Sequence, residues 1–146
     1  SEIFRVLKPG GVSLHVLPSP TWRVFTSLFH YVAVVKLLLS LISPSRRAPL
    51  TAQAARRSKA ELIRFVFYAP RHGERGSVVT EVFFFSRSWW KRVFEGSKLE
   101  FGQITGVGFL YCGRDPLRFR LSFNARRAFA HVFGSASNLC VSRKIK

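Results

Sequence analysis

The sequence predicts an α/β domain, and three observations carry that reading. The chain opens on a helix end, a tight turn and a buried strand, which together form the second half of a helix-to-strand connection. Further along, apolar strand-like segments alternate with segments of helical period. Its 146 residues and 47% hydrophobic content suffice for one domain with a sizeable core and exclude a disordered chain.

The first helix end is Ser1 to Leu7, where Ile3, Phe4 and Leu7 share one side and Glu2 and Arg5 lie outside it. Lys8 falls in the last turn, where a cation suits the negative end of the helix dipole. Pro9 cannot continue the helix, and Gly10-Gly11 provides the positive-φ backbone that a reversal needs. Val12, Leu14, Val16 and Leu17 then read as a buried strand, stopped by Pro18-Ser19-Pro20.

Thr21 to Ile42 is a long apolar helix, with Thr21 as its cap and Pro44 beyond its end. Arg23, Thr26, Ser27 and His30 line one side of its first half, and Val34 and Leu37 continue that side. At about 30 Å it is long enough to span a bilayer, but Arg23, His30 and Lys36 oppose crossing. The expectation is a helix covering the sheet, with interfacial membrane contact as the alternative. Ser43 to Lys59 is a basic surface segment rich in Pro, Ala, Ser and Arg, with Arg46-Arg47 and Arg56-Arg57 as pairs.

Ala60 to Tyr68 is apolar and leans towards strand, ending at Ala69-Pro70. "RHGERGS", Arg71 to Ser77, is a polar turn, and Val78 to Phe85 is either a strand or an extended approach to a helix. Ser86 or Ser88 caps a helix on which Trp89, Val93 and Phe94 recur, with Gly96 as its stop. Leu99 to Val107 reads as a strand and Gly108 to Gly113 as its end or a loop. Asp115-Pro116 starts a helix over Leu117 to Phe133, which Gly134 stops, and Leu139 to Ile145 is a final short strand.

The net charge of +17, from 24 Lys and Arg against 7 acids, favours anionic partners: nucleic acid, acidic lipid headgroups or a phosphorylated substrate. Cys112 and Cys140 have no metal-ligand spacing and read as ordinary buried thiols, so no metal site is expected. Gly102, Gly106 and Gly108 lie in a strand-like segment, not in a strand-to-helix loop, and read as bulge or strand-end glycines. The aromatic-basic run "FFFSRSWWKR" lacks the glycines of an RNA-recognition sheet, and Arg118, Arg120, Arg126 and Arg127 do not share one helix face. Of the histidines, His15, His30 and His131 lie in periodic segments. His72 alone has the loop placement typical of functional residues.

"EIFRVLKPGGVSLHVLP", Glu2 to Pro18, resembles the helix, turn and fifth strand of class I S-adenosylmethionine-dependent methyltransferases of the type 11 kind. "RHGERGSVVTEVFFFSRSWWKRVFEG" is similar to the segment leading into that family's last sheet-covering helix, and "SNLCVSRKI" resembles its seventh strand. The resemblance covers nearly the whole chain, weakly between Ile42 and Ala69. It implies a Rossmann-like sheet of strands five, seven and six. Val12–Leu17, Leu139–Ile145 and Leu99–Val107 would then be neighbours in that order, with Leu139–Ile145 antiparallel to both.

The family's glycine-rich loop and its acid after the second strand have no counterpart here. Residues 1–146 therefore read as the carboxy-terminal part of one methyltransferase domain, with a helical and basic insertion at about 21–69 and the cofactor-binding half absent. The resemblance implies methyl transfer from S-adenosylmethionine in the complete protein, with this part supplying the acceptor side and inactive alone. Pro18, Ser19, Trp22 and His72 are the substrate-pocket candidates, His72 as base or orienter. No catalytic or cofactor-binding residue is assigned. The acceptor is unknown, with an anionic lipid or a lipid-linked molecule ahead of nucleic acid, and the expected location is cytoplasmic, with peripheral membrane contact left open. The alternative is a basic module that binds nucleic acid or an anionic membrane.

Overall fold

The computed structural model of the chain describes residues 2–42, 58–111 and 121–145. Along the chain lie α1 (Glu2–Val6), β1 (Val12–Pro18), α2 (Pro20–Ile42), α3 (Lys59–Phe67), α4 (Glu81–Phe84), α5 (Arg87–Glu95), β2 (Glu100–Gly106), α6 (Phe123–Phe133) and β3 (Ser137–Arg143). Helix and strand are mixed, and the three strands form one sheet in the order β1-β3-β2, with β3 antiparallel to both neighbours. This is the adjacency expected of Val12–Leu17, Leu139–Ile145 and Leu99–Val107, although β3 begins two residues earlier than its apolar run. Val12 faces Arg143 and Pro18 faces Ser137 across one ladder, and Glu100 faces Arg143 across the other. The second ladder slips between Phe101 and Gln103, so Gly102 sits at a bulge and Gly106 ends the strand.

The two faces of the sheet differ. On one, Leu17, Cys140, Phe101 and Ile104 meet Phe94 and Trp90 of α5, Leu99, and Ile3, Phe4 and Leu7 of the opening segment. Cys140 is fully buried there, and Ser13 and Ser142 pair their hydroxyls at 2.7 Å. On the other face Leu14 and Val16 are 65% and 64% exposed, and Val12 is exposed beside them. The opening turn forms as expected, with Gly10 at φ +75°. Lys144, rather than Lys8, serves the end of α1: its ammonium donates to the Phe4 and Leu7 carbonyls at 2.8 Å each.

Several expectations are corrected. Ala60 to Tyr68 is helical, because Ser58 and Glu61 close a reciprocal capping box: the Ser58 hydroxyl accepts from the Glu61 N–H, and the Glu61 carboxylate accepts from the Ser58 N–H. Val78 to Phe85 is a turn followed by the short α4. Helix α2 is capped by Ser19, whose hydroxyl accepts from the Trp22 N–H, with Pro20 in the first turn. Thr21 instead donates to the Phe133 carbonyl at 3.0 Å. Helix α5 takes Ser86 as its cap. Helix α6 starts at Phe123 behind a Ser122 cap, later than Leu117, and stops as expected at Gly134, at φ +90°. The basic segment from Ser43 to Arg57, Cys112, Asp115-Pro116, Arg118 and Arg120 lie outside the described residues.

Helix α2 departs most from expectation. Its main neighbours are α4 and α3 rather than the sheet, and its inward side is the polar one. Arg23, Thr26 and His30 are buried, together with Val34 and Leu37. A helix covering a sheet would turn its apolar side inward. Here two of the inward polar residues, Arg23 and His30, find partners in the protein, whereas the Thr26 hydroxyl makes no hydrogen bond among the described residues. His30 Nε2 donates to the Phe65 carbonyl at 2.8 Å, which welds α2 to α3, and Arg23 pairs with Glu81 and the Pro70 carbonyl.

Candidate functional site

Strand β1 ends at Pro18, and the chain turns directly into α2, so the first turn of α2 stands just past the carboxyl end of a sheet strand. In open α/β sheets this is where ligands bind. The side chains gathered there come from α2, the 70–78 loop and α4.

Arg23 and Glu81 form the centre. Both side chains are 0% exposed, and Arg23 Nε lies 3.0 Å from Glu81 Oε2. Glu81 Oε1 accepts from the backbone N–H groups of His72, at 2.9 Å, and Gly73, at 2.7 Å. Arg23 Nη1 donates to the Pro70 carbonyl at 3.1 Å and to His72 Nδ1 at 2.9 Å, while Nε also reaches the Val78 carbonyl at 3.3 Å. The pair therefore grips both ends of the "RHGERGS" turn and holds it against α2. Burial pushes the Arg23 guanidinium below its ordinary value, and the negative charge of Glu81 works in the other direction.

This network fixes the tautomer of His72. A guanidinium has donors only, so Nδ1 must accept, and the neutral ring carries its proton on Nε2. The His72 ring also meets Trp22 edge-on, with centroids 4.9 Å apart. Trp22 in turn packs near Phe85, at 6.1 Å, and against the cluster of Leu110, Ala130 and Ala136. Beside the network an open groove of about 960 Å³ runs between the end of α3 and the turn, with Arg64, Tyr68, Pro70 and Arg71 in its wall. Pro70 is shared: its carbonyl binds Arg23, and it also lines the groove.

Trp22 and His72 are thus in contact, although neither lines the groove. Ser19 and Pro18 lie at the same end but are committed to the fold. Ser19 caps α2 and donates to the Ser135 carbonyl at 2.5 Å, and the Pro18 carbonyl accepts from Trp90 Nε1 at 3.3 Å. Sequence reasoning passed over Glu81 and saw Arg23 only as part of a polar side. Glu81 is one of just 7 acids and stands alone in an apolar run, which is the available signal. Among the described residues no group of His, Cys, Asp and Glu is arranged to hold a metal ion. No protein-family model, curated protein or solved structure matches the chain.

Proposed function

We propose that this chain is the acceptor side of a class I S-adenosylmethionine-dependent methyltransferase, with Trp22 and His72 at the mouth of the acceptor pocket. The observation that carries the reading is the sheet: β1 and β2 flank an antiparallel β3, the arrangement implied by the resemblance for strands five, six and seven. The exposed apolar face of β1 is a second support, because a neighbouring strand and its helix on that side would cover Leu14 and Val16. The position of Trp22 and His72 beyond the carboxyl end of β1 is a third.

The described residues do not fit the cofactor. Gly102 and Gly106 lie inside β2, Gly108 follows it, and no strand leads through glycines into a helix with an acid beyond. No step is therefore assigned to the cofactor here. What this chain's residues do is narrower. Trp22 offers an apolar wall, His72 stands edge-on beside it as the group that would orient an acceptor oxygen or nitrogen, and Arg23 holds His72 in one tautomer. With its Nδ1 lone pair engaged by Arg23, His72 acts as orienter rather than base.

The test is calorimetric titration of S-adenosylhomocysteine into the protein expressed from the complete open reading frame and into residues 1–146 alone. Binding by the former and none by the latter is expected. Absence of binding by the complete protein would overturn the proposal.

A further inference from the structure

Helix α2 is inside out. Its polar residues Arg23, Thr26 and His30 are buried, whereas Val24, Leu28, Tyr31, Val35 and Leu38 are exposed, each between 44% and 54%. The steps from one to the next are four, three, four and three residues, which places all five on one stripe, about 115° around the helix from the buried side. The stripe runs about 21 Å along the helix. It continues onto α3, where Ile63, Phe67 and Tyr68 are more than half exposed. Tyr31 links the two helices by donating to the Phe67 carbonyl at 3.4 Å. A patch of this extent on two packed helices exceeds the scattered apolar residues of an ordinary surface.

Charge says what covers it. From Ile3 to Ala60 the sequence contains nine Lys and Arg and no acid, and the whole chain carries +17. A second copy would bring +17 against +17 as the two stripes met, and nucleic acid offers no apolar phase for the stripe. A bilayer with anionic headgroups satisfies both features, since it takes apolar side chains below the headgroups and cations among them. Pro20–Leu39 is long and apolar enough to cross a membrane by length and composition, and 28% of it is buried within the chain. Its inner side, however, is tied by Arg23 to Glu81 and by His30 to Phe65, so the helix lies against its own domain with one stripe outward. That is the geometry of a helix lying in the interface plane rather than across the bilayer.

We infer that the outward stripe of α2, extended by Ile63, Phe67 and Tyr68, docks the protein onto anionic membrane surfaces. The docking is independent of methyl transfer, and its assay contains no cofactor, so either reading can fail without the other.

The experiment is co-sedimentation of the full chain with sucrose-loaded vesicles of phosphatidylcholine containing 30% phosphatidylglycerol, and with vesicles of phosphatidylcholine alone. Partitioning at least tenfold stronger onto the anionic vesicles is expected. Leu28→Asp with Val35→Asp, both at exposed positions, should cut that partitioning at least tenfold while leaving the circular dichroism spectrum unchanged. A second variant, Leu28→Ser with Val35→Ser, keeps the net charge and should still lose most of the binding. Equal binding to both vesicle types, no binding to either, or full binding by the serine variant would overturn the inference. So would sedimentation equilibrium showing a dimer that the same substitutions abolish, which would make a second copy the occupant.

Discussion

Replacing Glu81 by alanine tests the network that the site is built on. Both partners of the Arg23–Glu81 pair are fully buried, 3.0 Å apart, so the substitution strands a guanidinium away from water without its counter-charge. Breaking a buried pair from one side typically costs about 3–5 kcal/mol. The backbone N–H groups of His72 and Gly73 lose their acceptor in the same step, at about 1–3 kcal/mol for each donor left buried and unpaired. These effects share one side chain and are not additive, so a loss of about 3–5 kcal/mol is the working expectation for E81A. Against a domain stability of about 5–15 kcal/mol, such a loss removes about a fifth or more of the total or unfolds the protein. E81Q keeps an oxygen for the two N–H groups and removes only the charge, so it should fall between E81A and the parent. Adding R23M to E81Q removes the stranded charge, and part of the loss should return. Urea unfolding of the full chain, followed by circular dichroism, measures all four proteins of the R23M/E81Q cycle even where E81A does not fold. A coupling energy near zero, or an E81A loss below about 1 kcal/mol, would refute the claim that this pair holds the turn.

Two further outcomes follow from local features. S19A removes both the cap of α2 and the bond to the Ser135 carbonyl, at a cost of about 0.5–2 kcal/mol. A thermal melt should record this as a drop of about 2–4 °C for each kcal/mol, and an unchanged midpoint would return the capping role to Thr21. Burial pushes the Cys140 thiol up, so as pH rises the unfolded chain loses this proton before the folded one does. The stability held by the neutral thiol is therefore complete below about pH 8.5, the ordinary thiol value, and declines above it until the folded thiol also ionises. In a C112A background a thiol reagent should reach Cys140 only as fast as the protein opens, and C140A should flatten the decline in stability above that pH.

What could be read from residues alone was local chemistry with a short reach. The Gly10 turn, the strand Val12–Pro18, the Ser86 cap with its Gly96 stop and the Gly134 stop all depend on signals within a few positions of the event. The Ser58-x-x-Glu61 capping box was equally local, and the apolar content of Ala60 to Tyr68 concealed it. Other features needed the third dimension. Lys144 reaches back to the carbonyls of Phe4 and Leu7, and Glu81 finds Arg23 across 58 positions. The polar side of α2, Arg23–Thr26–Ser27–His30, was visible in the sequence. Which side faces inward could not be read, because the polar side becomes the inner one only when Glu81 and the Phe65 carbonyl arrive to satisfy it. For the candidate site, Trp22 and His72 could be picked out one by one, whereas their contact and the tautomer imposed by Arg23 could not.

The order of the sheet also sets a timetable. β3 is the latest of the three strands in the chain, yet it lies between the other two and supplies every strand pairing in the sheet. While the chain is being made, β1 and β2 cannot form their ladders with β3 until residue 143 has emerged, and closing the first ladder then joins Val12 to Arg143, two residues far apart in sequence. Contacts so distant in sequence form slowly and leave apolar strands uncovered in the interval. Leu17, Phe101 and Ile104, which pack around Cys140 of β3 in the folded sheet, would spend that interval as the preferred landing place for a chaperone, and a chain cut short before residue 137 would never release it.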